Sequence, residues 1–85
     1  MASYKILVHR DFEKEIKKIT KKDVIRILEA IGSLATNPYQ TGSQKISGSD
    51  AYRIRIGLYR VVYRISDGLL IVFILKVAHR KDVYK

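Results

Sequence analysis

One stretch of the chain, residues 52–65, alternates apolar and basic side chains in two runs separated by a glycine. The first run reads YRIRI over residues 52–56, and the second reads YRVVYRI over residues 59–65. Successive side chains of a β-strand point to opposite faces, so each run predicts a strand with one apolar and one basic face. Gly57-Leu58 between the runs predicts a two-residue hairpin, because a type II′ turn prefers glycine at its first central position.

A turn at this place determines which residues face each other across the hairpin. It pairs residue 56 with 59, 54 with 61 and 52 with 63, so apolar side chains meet. It also puts Arg55 directly opposite Arg60. Like charges in this position destabilise a sheet by a few tenths of a kcal/mol up to about 1. We expect an anion to bind this face, although a solvated strand face is the alternative. The arginines concerned are Arg53, Arg55, Arg60 and Arg64.

The net charge also favours an anionic partner. The 85 residues include 17 Lys and Arg but 8 Asp and Glu, a formal charge of +9. From Lys45 onward there are nine basic and three acidic residues, whereas the region before it mixes lysine with glutamate. Basic residues gathered on one element are typical of nucleic-acid binding. A basic surface that only improves solubility is the alternative.

Several classes of protein are disfavoured. The chain has no cysteine and two histidines, so thiol catalysis, disulfides and zinc sites are not expected. We expect neither a metal nor a cofactor. The longest apolar run, residues 69–75, is far shorter than the roughly 18 residues that suggest a membrane span. The first residues do not resemble a signal peptide. We therefore expect one soluble, cytoplasmic domain over residues 1–85, with no membrane partner.

The remaining pattern predicts the other elements. Residues 3–9 alternate as a strand. Asp11 can cap a helix that runs to about Ile19, and a second helix opens with a capping box over residues 20–23. Its apolar stripe comprises Val24, Ile27, Leu28, Ile31, Leu34 and Ala35.

The second half of the chain begins with a loop. Asn37-Pro38 ends the second helix, and residues 36–50 are rich in turn formers. After the arginine hairpin, Asp67-Gly68 predicts a second turn. Residues 69–77 are apolar on both faces, which predicts a central strand covered on both sides. The order β-α-α-β-β-β predicts an α+β domain. A mostly antiparallel sheet of about four strands would carry a helical hairpin on one face and the arginines on the other.

The sequence also resembles a known family. The run YRIRIGLYRVVYRISD, followed by GLLIVFILKVAHRKDVYK, is similar to the C-terminal half of the RelE/ParE superfamily of bacterial and archaeal toxins. The preceding strand and helical hairpin extend the resemblance over the whole chain, which implies a RelE-like fold. RelE-like members are ribosome-dependent endoribonucleases that cut mRNA and are held inactive by an antitoxin encoded beside them. ParE-like members share the fold but inhibit DNA gyrase. The partners implied are a cognate antitoxin, the ribosome and mRNA.

Site residues follow from the resemblance by position. The basic residues of RelE-like members fall on Arg53, Arg55, Arg60 and Arg80, and their C-terminal aromatic falls on Tyr84. Guanidinium groups bind phosphate oxygens in a bidentate manner, so we expect Arg60 and Arg80 on the scissile phosphate. Arg53 and Arg55 would bind the RNA backbone and stabilise charge. Tyr84 would stack on a base or hydrogen-bond at the reacting centre; docking on the core is its alternative.

The general base is left open by the residues. Some relatives carry lysine where this chain has Arg55, and arginine is a poor proton acceptor. His79 has an intrinsic pKa suited to proton transfer, although a structural histidine at a strand end is the alternative. Further RNA contacts are expected from Arg64, Lys45 and Lys81. A ParE-like gyrase inhibitor and a plain RNA-binding module are the alternative functions.

Overall fold

The computed structural model describes residues 3–79 as one five-stranded sheet with two helices on one face. The strand order in the sheet is β1-β5-β4-β3-β2, and every neighbouring pair is antiparallel except β1 with β5. The predicted α+β class and the mostly antiparallel sheet are confirmed. In chain order the elements are β1 (Lys5–Val8), α1 (Arg10–Ile16), α2 (Lys21–Thr36), β2 (Ser43–Lys45), β3 (Tyr52–Ile56), β4 (Tyr59–Ser66) and β5 (Ile71–His79).

The β3–β4 hairpin has the predicted register. Ile56 pairs with Tyr59, Ile54 with Val61, and Arg55 with Arg60. Gly57 has a φ of 61°, the left-handed conformation that a type II′ turn requires at its first central position. The hairpin therefore presents its arginines on one face of the sheet and its apolar residues on the other.

The sheet has one strand more than expected. The prediction of an unbroken loop over residues 36–50 is wrong for residues 43–45, which form the edge strand β2 against β3. Its sequence, Ser-Gln-Lys, carries no apolar alternation because the strand is three residues long and polar on both faces. Sequence periodicity cannot reveal so short an edge strand.

Both helices begin near the predicted positions, but their first turns differ from expectation. Helix α1 begins at Arg10, and its N-cap is His9, whose Nδ1 accepts a hydrogen bond from the Asp11 backbone N–H at 3.0 Å. Asp11 therefore lies inside the first turn. At α2 the N-cap is Thr20, as expected, but its hydroxyl donates to the Asp23 carboxylate at 3.2 Å instead of bonding to the backbone.

The core lies between the helices and the sheet. From α2 the buried residues are Ile27, Ile31 and Leu34, whereas Leu28, which the predicted stripe included, is half exposed. The other buried members are contributed by α1 and the inner faces of the strands: Phe12, Ile54, Val61, Tyr63, Val72, Ile74 and Val77.

A β-bulge interrupts the alternation of β5, whose sequence is apolar on both faces. Ile74 pairs with Tyr63 and Lys76 with Val62, so Leu75 is left without a partner on β4. One extra residue reverses the alternation. As a result Ile74 and Val77, three positions apart, both face the core. The expected second cover is not observed within residues 3–79. Instead the outer side chains of Ile71 and Phe73 line an apolar cleft of about 660 Å³.

Tyrosine hydroxyls tie the loop after α2 to the sheet. The fully buried Tyr63 donates to the Pro38 carbonyl at 2.8 Å. Asp67, in the β4–β5 turn, accepts from Tyr39 and from Tyr4, each at 2.6 Å. These bonds lower the pKa of Asp67, with Tyr39 the larger cause, and they raise the pKa of Tyr39 to about 12. The loop that leads into β2 is thus held at two points.

Among residues 3–79, no helix is long and apolar enough to cross a membrane.

Candidate nucleic-acid interface

The face of the sheet opposite the helices carries the four predicted hairpin arginines. We call Arg53, Arg55, Arg60 and Arg64 the arginine face. Arg53 and Arg55 alternate along β3, and Arg60 and Arg64 lie at every fourth position of β4. The hairpin register brings all four to one side because each is out of phase with the buried Ile54 and Val61.

Arg60 lies at the centre of this surface. On one side it pairs with Arg55 of β3, and on the other with Ala78 of β5. Arg60 is 3% exposed, so the alternative of a solvated strand face does not hold at this residue. Arg55 beside it is exposed. Electrostatic attraction to an anion is stronger where water is excluded, so Arg60 is placed to act more strongly than its exposed neighbours.

A central cleft of about 520 Å³ opens over this part of the sheet. Four basic residues line it: Arg53, Arg60, Arg64 and Lys76. Apolar walls come from Val62 and Leu75, among others. A concave site of this size with convergent cationic groups suits an anionic ligand such as a nucleotide.

Beside the central cleft, a smaller pocket reaches the sheet edge. This edge pocket has a volume of about 210 Å³ and is lined by Gly42, Gln44, Arg53 and Arg55. The Arg53 Nη2 donates a hydrogen bond to Gln44 Oε1 at 3.1 Å. Arg53 also lines the central cleft, so its side chain separates the two depressions.

Arg64 has a different environment from the other three arginines. Its Nε lies 3.2 Å from Asp50 Oδ1, and both side chains are more than half exposed. An exposed pair of this kind is worth at most about 1 kcal/mol. Its charge is nevertheless partly balanced by Asp50, which makes Arg64 the weakest anion site of the four.

Two predicted site residues lie on the other side of the sheet. Lys45 pairs with Tyr52, whose side chain packs on the core. Lys45 therefore lies on the face of the sheet opposite to Arg53. His79 pairs with Tyr59, which also packs against the core, and their rings meet edge-on with centroids 5.3 Å apart. The structure therefore does not bring Lys45 or His79 together with the arginine face. Arg80, Lys81 and Tyr84 lie outside the described residues.

Two residues on the arginine side are absent from the predicted site. Gln44 lies beside Arg53 in place of Lys45, because the register of β2 against β3 decides which of the two neighbours shares its face. Lys76 lines the central cleft because the bulge at Leu75 reverses the alternation of β5. Neither the short strand nor the bulge has a signature in the sequence.

The described residues include no group of three or more His, Cys, Asp or Glu side chains that could hold a metal ion.

Comparison with known proteins gives concordant results. The family model for the ParE toxin of the type II toxin-antitoxin system parDE matches residues 6–84. The chain is 30% identical to the putative toxin RelE1 of Methanocaldococcus jannaschii, over 96% of each chain. It is 32% identical to toxin RelG of Mycobacterium tuberculosis, over 85% of each. Among solved structures, it is similar to a chain of the toxin-antitoxin complex RelBE2 from M. tuberculosis. That match has a TM-score of 0.81 and 26% identity, and it covers 92% of this chain and 99% of the other.

Proposed function

The chain belongs to the ParE toxin family of type II toxin-antitoxin systems, within the RelE/ParE superfamily, and from this premise we propose that it is a ribosome-dependent endoribonuclease that cuts mRNA. The observation that carries the proposal is the pairing of Arg55 with Arg60 inside a larger basic surface. Like charges directly opposite each other generally destabilise a sheet, and binding of a polyanion would offset such a cost. The names RelE1 and RelG of the two relatives favour the RelE branch.

The reaction we propose uses the RNA's own 2′-hydroxyl. The 2′ oxygen forms a bond to the adjacent phosphorus, and the bond from phosphorus to the 5′ oxygen breaks. A 2′,3′-cyclic phosphate and a free 5′-hydroxyl result. Negative charge builds up on the phosphate oxygens, and fixed guanidinium groups stabilise it best where water is excluded. Arg60 is the residue we assign to this task, with Arg80 as its predicted companion.

The other basic residues would bind the backbone of the RNA. Arg53 and Arg55 lie next to Arg60 on β3 and offer planar donors that match phosphate oxygens. Lys76 adds a fourth cation to the central cleft. Arg64 and Lys81 stay weaker predicted contacts, whereas Lys45 lies on the other side of the sheet. Correct positioning of the 2′-hydroxyl by itself accelerates its attack on the adjacent phosphate. An RNA strand held by several such contacts therefore needs less additional catalysis.

Neither Arg55 nor His79 is suited to act as the general base. Arg55 is a poor base, and His79 lies with Tyr59 on the helix-facing side of the sheet. We propose that His79 supports the end of β5 and that charge stabilisation dominates the rate. Replacement of His79 by glutamine should then lower the cleavage rate by less than tenfold. A loss comparable to that of an arginine variant would return His79 to the reacting centre.

We also propose a cognate antitoxin as the physiological partner. The similar M. tuberculosis chain is part of a toxin-antitoxin complex. With a net charge of +9, this chain should bind an antitoxin segment that is acidic where it covers the arginine face. Since ribosomes are the proposed site of action, the toxin would act in the cytoplasm.

Inhibition of DNA gyrase is the second candidate function, because the matching family model is that of ParE. On that account the arginine face is only a binding surface. Purified ribosomes carrying a labelled mRNA distinguish the two. The nuclease proposal predicts discrete cleavage in the presence of ribosomes and about a hundredfold loss with Arg60→Ala. Arg10→Ala, on the helical side, serves as the matched control. Intact mRNA combined with blocked supercoiling by gyrase would favour the alternative.

A further inference from the structure

The reaction outlined above gives no role to Gln44, although the edge pocket that it lines adjoins the site where that reaction would occur. Arg53 lines both the central cleft and the edge pocket. The two depressions lie side by side across β4, β3 and β2. Neighbouring strands are about 4.8 Å apart and the two positions are offset by two residues along β3, so Arg60 on β4 and Gln44 on β2 are separated by roughly 12 Å.

We propose that the edge pocket is a second phosphodiester subsite, which holds the RNA backbone next to the cleaved linkage and is organised by Gln44. This inference rests on the proposed function and adds the direction of the substrate. The RNA would run across the strands, from the central cleft over Arg53 to the edge strand β2.

The hydrogen-bonding character of the pocket supports a phosphate ligand. Arginine has donors only, so the atom of Gln44 that contacts Arg53 Nη2 must be the carbonyl oxygen Oε1. The Gln44 amide nitrogen is consequently the group left to face a ligand, and it donates as well. Together with Arg55, the pocket thus offers donors from three side chains. A phosphate group, which accepts hydrogen bonds at several oxygens, is complementary to such a set.

The backbone at Gly42 leaves open space at the edge pocket. Continuing the β2–β3 register places Gly42 opposite Arg55. A side chain at residue 42 would project into open space, since a Cβ atom there would have no other atom within 4 Å. Gly42 also has a φ of 98°, a conformation that favours glycine. Gly42 and Arg55 line the edge pocket together, so a ligand there meets no side chain at residue 42.

Gln44 would act on the RNA directly and also as a positioning residue for Arg53. The amide of Gln44 holds the Arg53 guanidinium in place and leaves its charge unchanged. A carboxylate in the same position would neutralise that charge. Gln44→Leu removes both the acceptor and the donor. Gln44→Glu keeps an acceptor for Arg53 but adds a negative charge to the pocket. The two variants therefore separate the orientation of Arg53 from the binding of phosphate.

The test uses a fluorescein-labelled five-nucleotide RNA with 2′-O-methyl groups, which cannot undergo 2′-hydroxyl attack, so binding is measured without cleavage or ribosomes. Fluorescence anisotropy against salt concentration gives the affinity and its salt dependence. Gln44→Leu should weaken binding at least about tenfold, the effect of losing one hydrogen bond to a charged group. Gln44→Glu should weaken it further and reduce the slope of log K against log salt by about 0.7, one phosphate contact.

The matched control is Gln40→Leu, because the Gln40 amide bonds to Ser33 of α2 and lies outside the edge pocket. It should bind the RNA as wild type does. Circular dichroism checks that each variant is folded. Wild-type affinity and slope in both Gln44 variants, with binding lost on Arg60→Ala, would overturn the subsite and leave the nuclease proposal standing. Absence of RNA binding by the wild type at low salt would also overturn the subsite proposal. The nuclease proposal is tested separately, by the ribosome assay.

Discussion

Replacing Arg55 by glutamine should stabilise the fold and at the same time weaken the toxin. Arg55 lies directly opposite Arg60, so the Cβ atoms of the pair are about 5 Å apart. Among residues 3–79, no acidic side chain forms an ion pair with Arg55. At about 7 Å between charge centres, two unit charges repel by about 0.6 kcal/mol at the dielectric constant of water, and this is a lower bound because Arg60 is buried. Arg55→Gln removes that repulsion and should raise the free energy of unfolding by about 0.2–1 kcal/mol.

Urea denaturation of the purified toxin measures this change from the shift in midpoint at constant m-value. The gain should shrink in 1 M salt, where the Debye length falls to about 3 Å. Arg55→Lys keeps the charge, so its stability should stay close to that of the wild type. Cleavage of ribosome-bound mRNA should fall at least tenfold in Arg55→Gln, since one phosphate contact is lost.

The reasoning is refuted by a lower free energy of unfolding in Arg55→Gln at low salt. Such a result would mean that Arg55 contributes favourable contacts to the fold. The pairing of Arg55 with Arg60 would then not indicate that the protein loses stability in favour of function.

Two further predictions concern the bonds that hold the loop after α2. Tyr63→Phe should destabilise the protein by about 1–3 kcal/mol in urea denaturation, because the buried Pro38 carbonyl loses its donor; an unchanged midpoint would show that another donor takes its place. The hydrogen bonds that Tyr4 and Tyr39 donate to Asp67 should make the free energy of unfolding depend on pH in both the acidic and the alkaline range. Asp67 has a lowered pKa in the fold, so its contribution is complete above its unfolded value near 4 and is lost as the pH falls below that. Tyr39, with its pKa raised to about 12, contributes fully below pH 10, and its contribution is lost between pH 10 and 12. Asp67→Asn should flatten both limbs of the stability profile and bring the Tyr39 transition, followed by absorbance at 295 nm, back toward 10. Unchanged limbs in this variant would contradict the assigned cause.

The arginine hairpin could be predicted in detail because each local signal agrees with the others. Period-two alternation, a glycine at the turn and apolar cross-strand pairs all specify one register, and a slip by one residue would turn the arginines toward the helices. The observed pairing of Arg55 with Arg60 is the result. The class of fold and the order of its main elements follow from signals of the same strength.

The parts that were missed depend on interactions distant in sequence. The edge strand β2 forms because β3 presents free backbone groups, and three polar residues carry no pattern of their own. The bulge at Leu75 is a property of the pairing between β4 and β5. These two features decide that Gln44 and Lys76 share the arginine side and that His79 does not. The burial of Arg60 likewise follows from its neighbours in the assembled sheet.

The most direct test of the central claim is to map mRNA 5′ ends in cells after a short pulse of toxin expression. Wild-type protein should produce new ends inside translated codons, and these ends should be absent when translation initiation of the same message is blocked. Arg60→Ala, with its fold checked by circular dichroism, should produce none, whereas Arg10→Ala should cut as the wild type does. Intact messages in cells whose growth has stopped would contradict the account, and the arginine face would then be a surface for inhibiting a protein target.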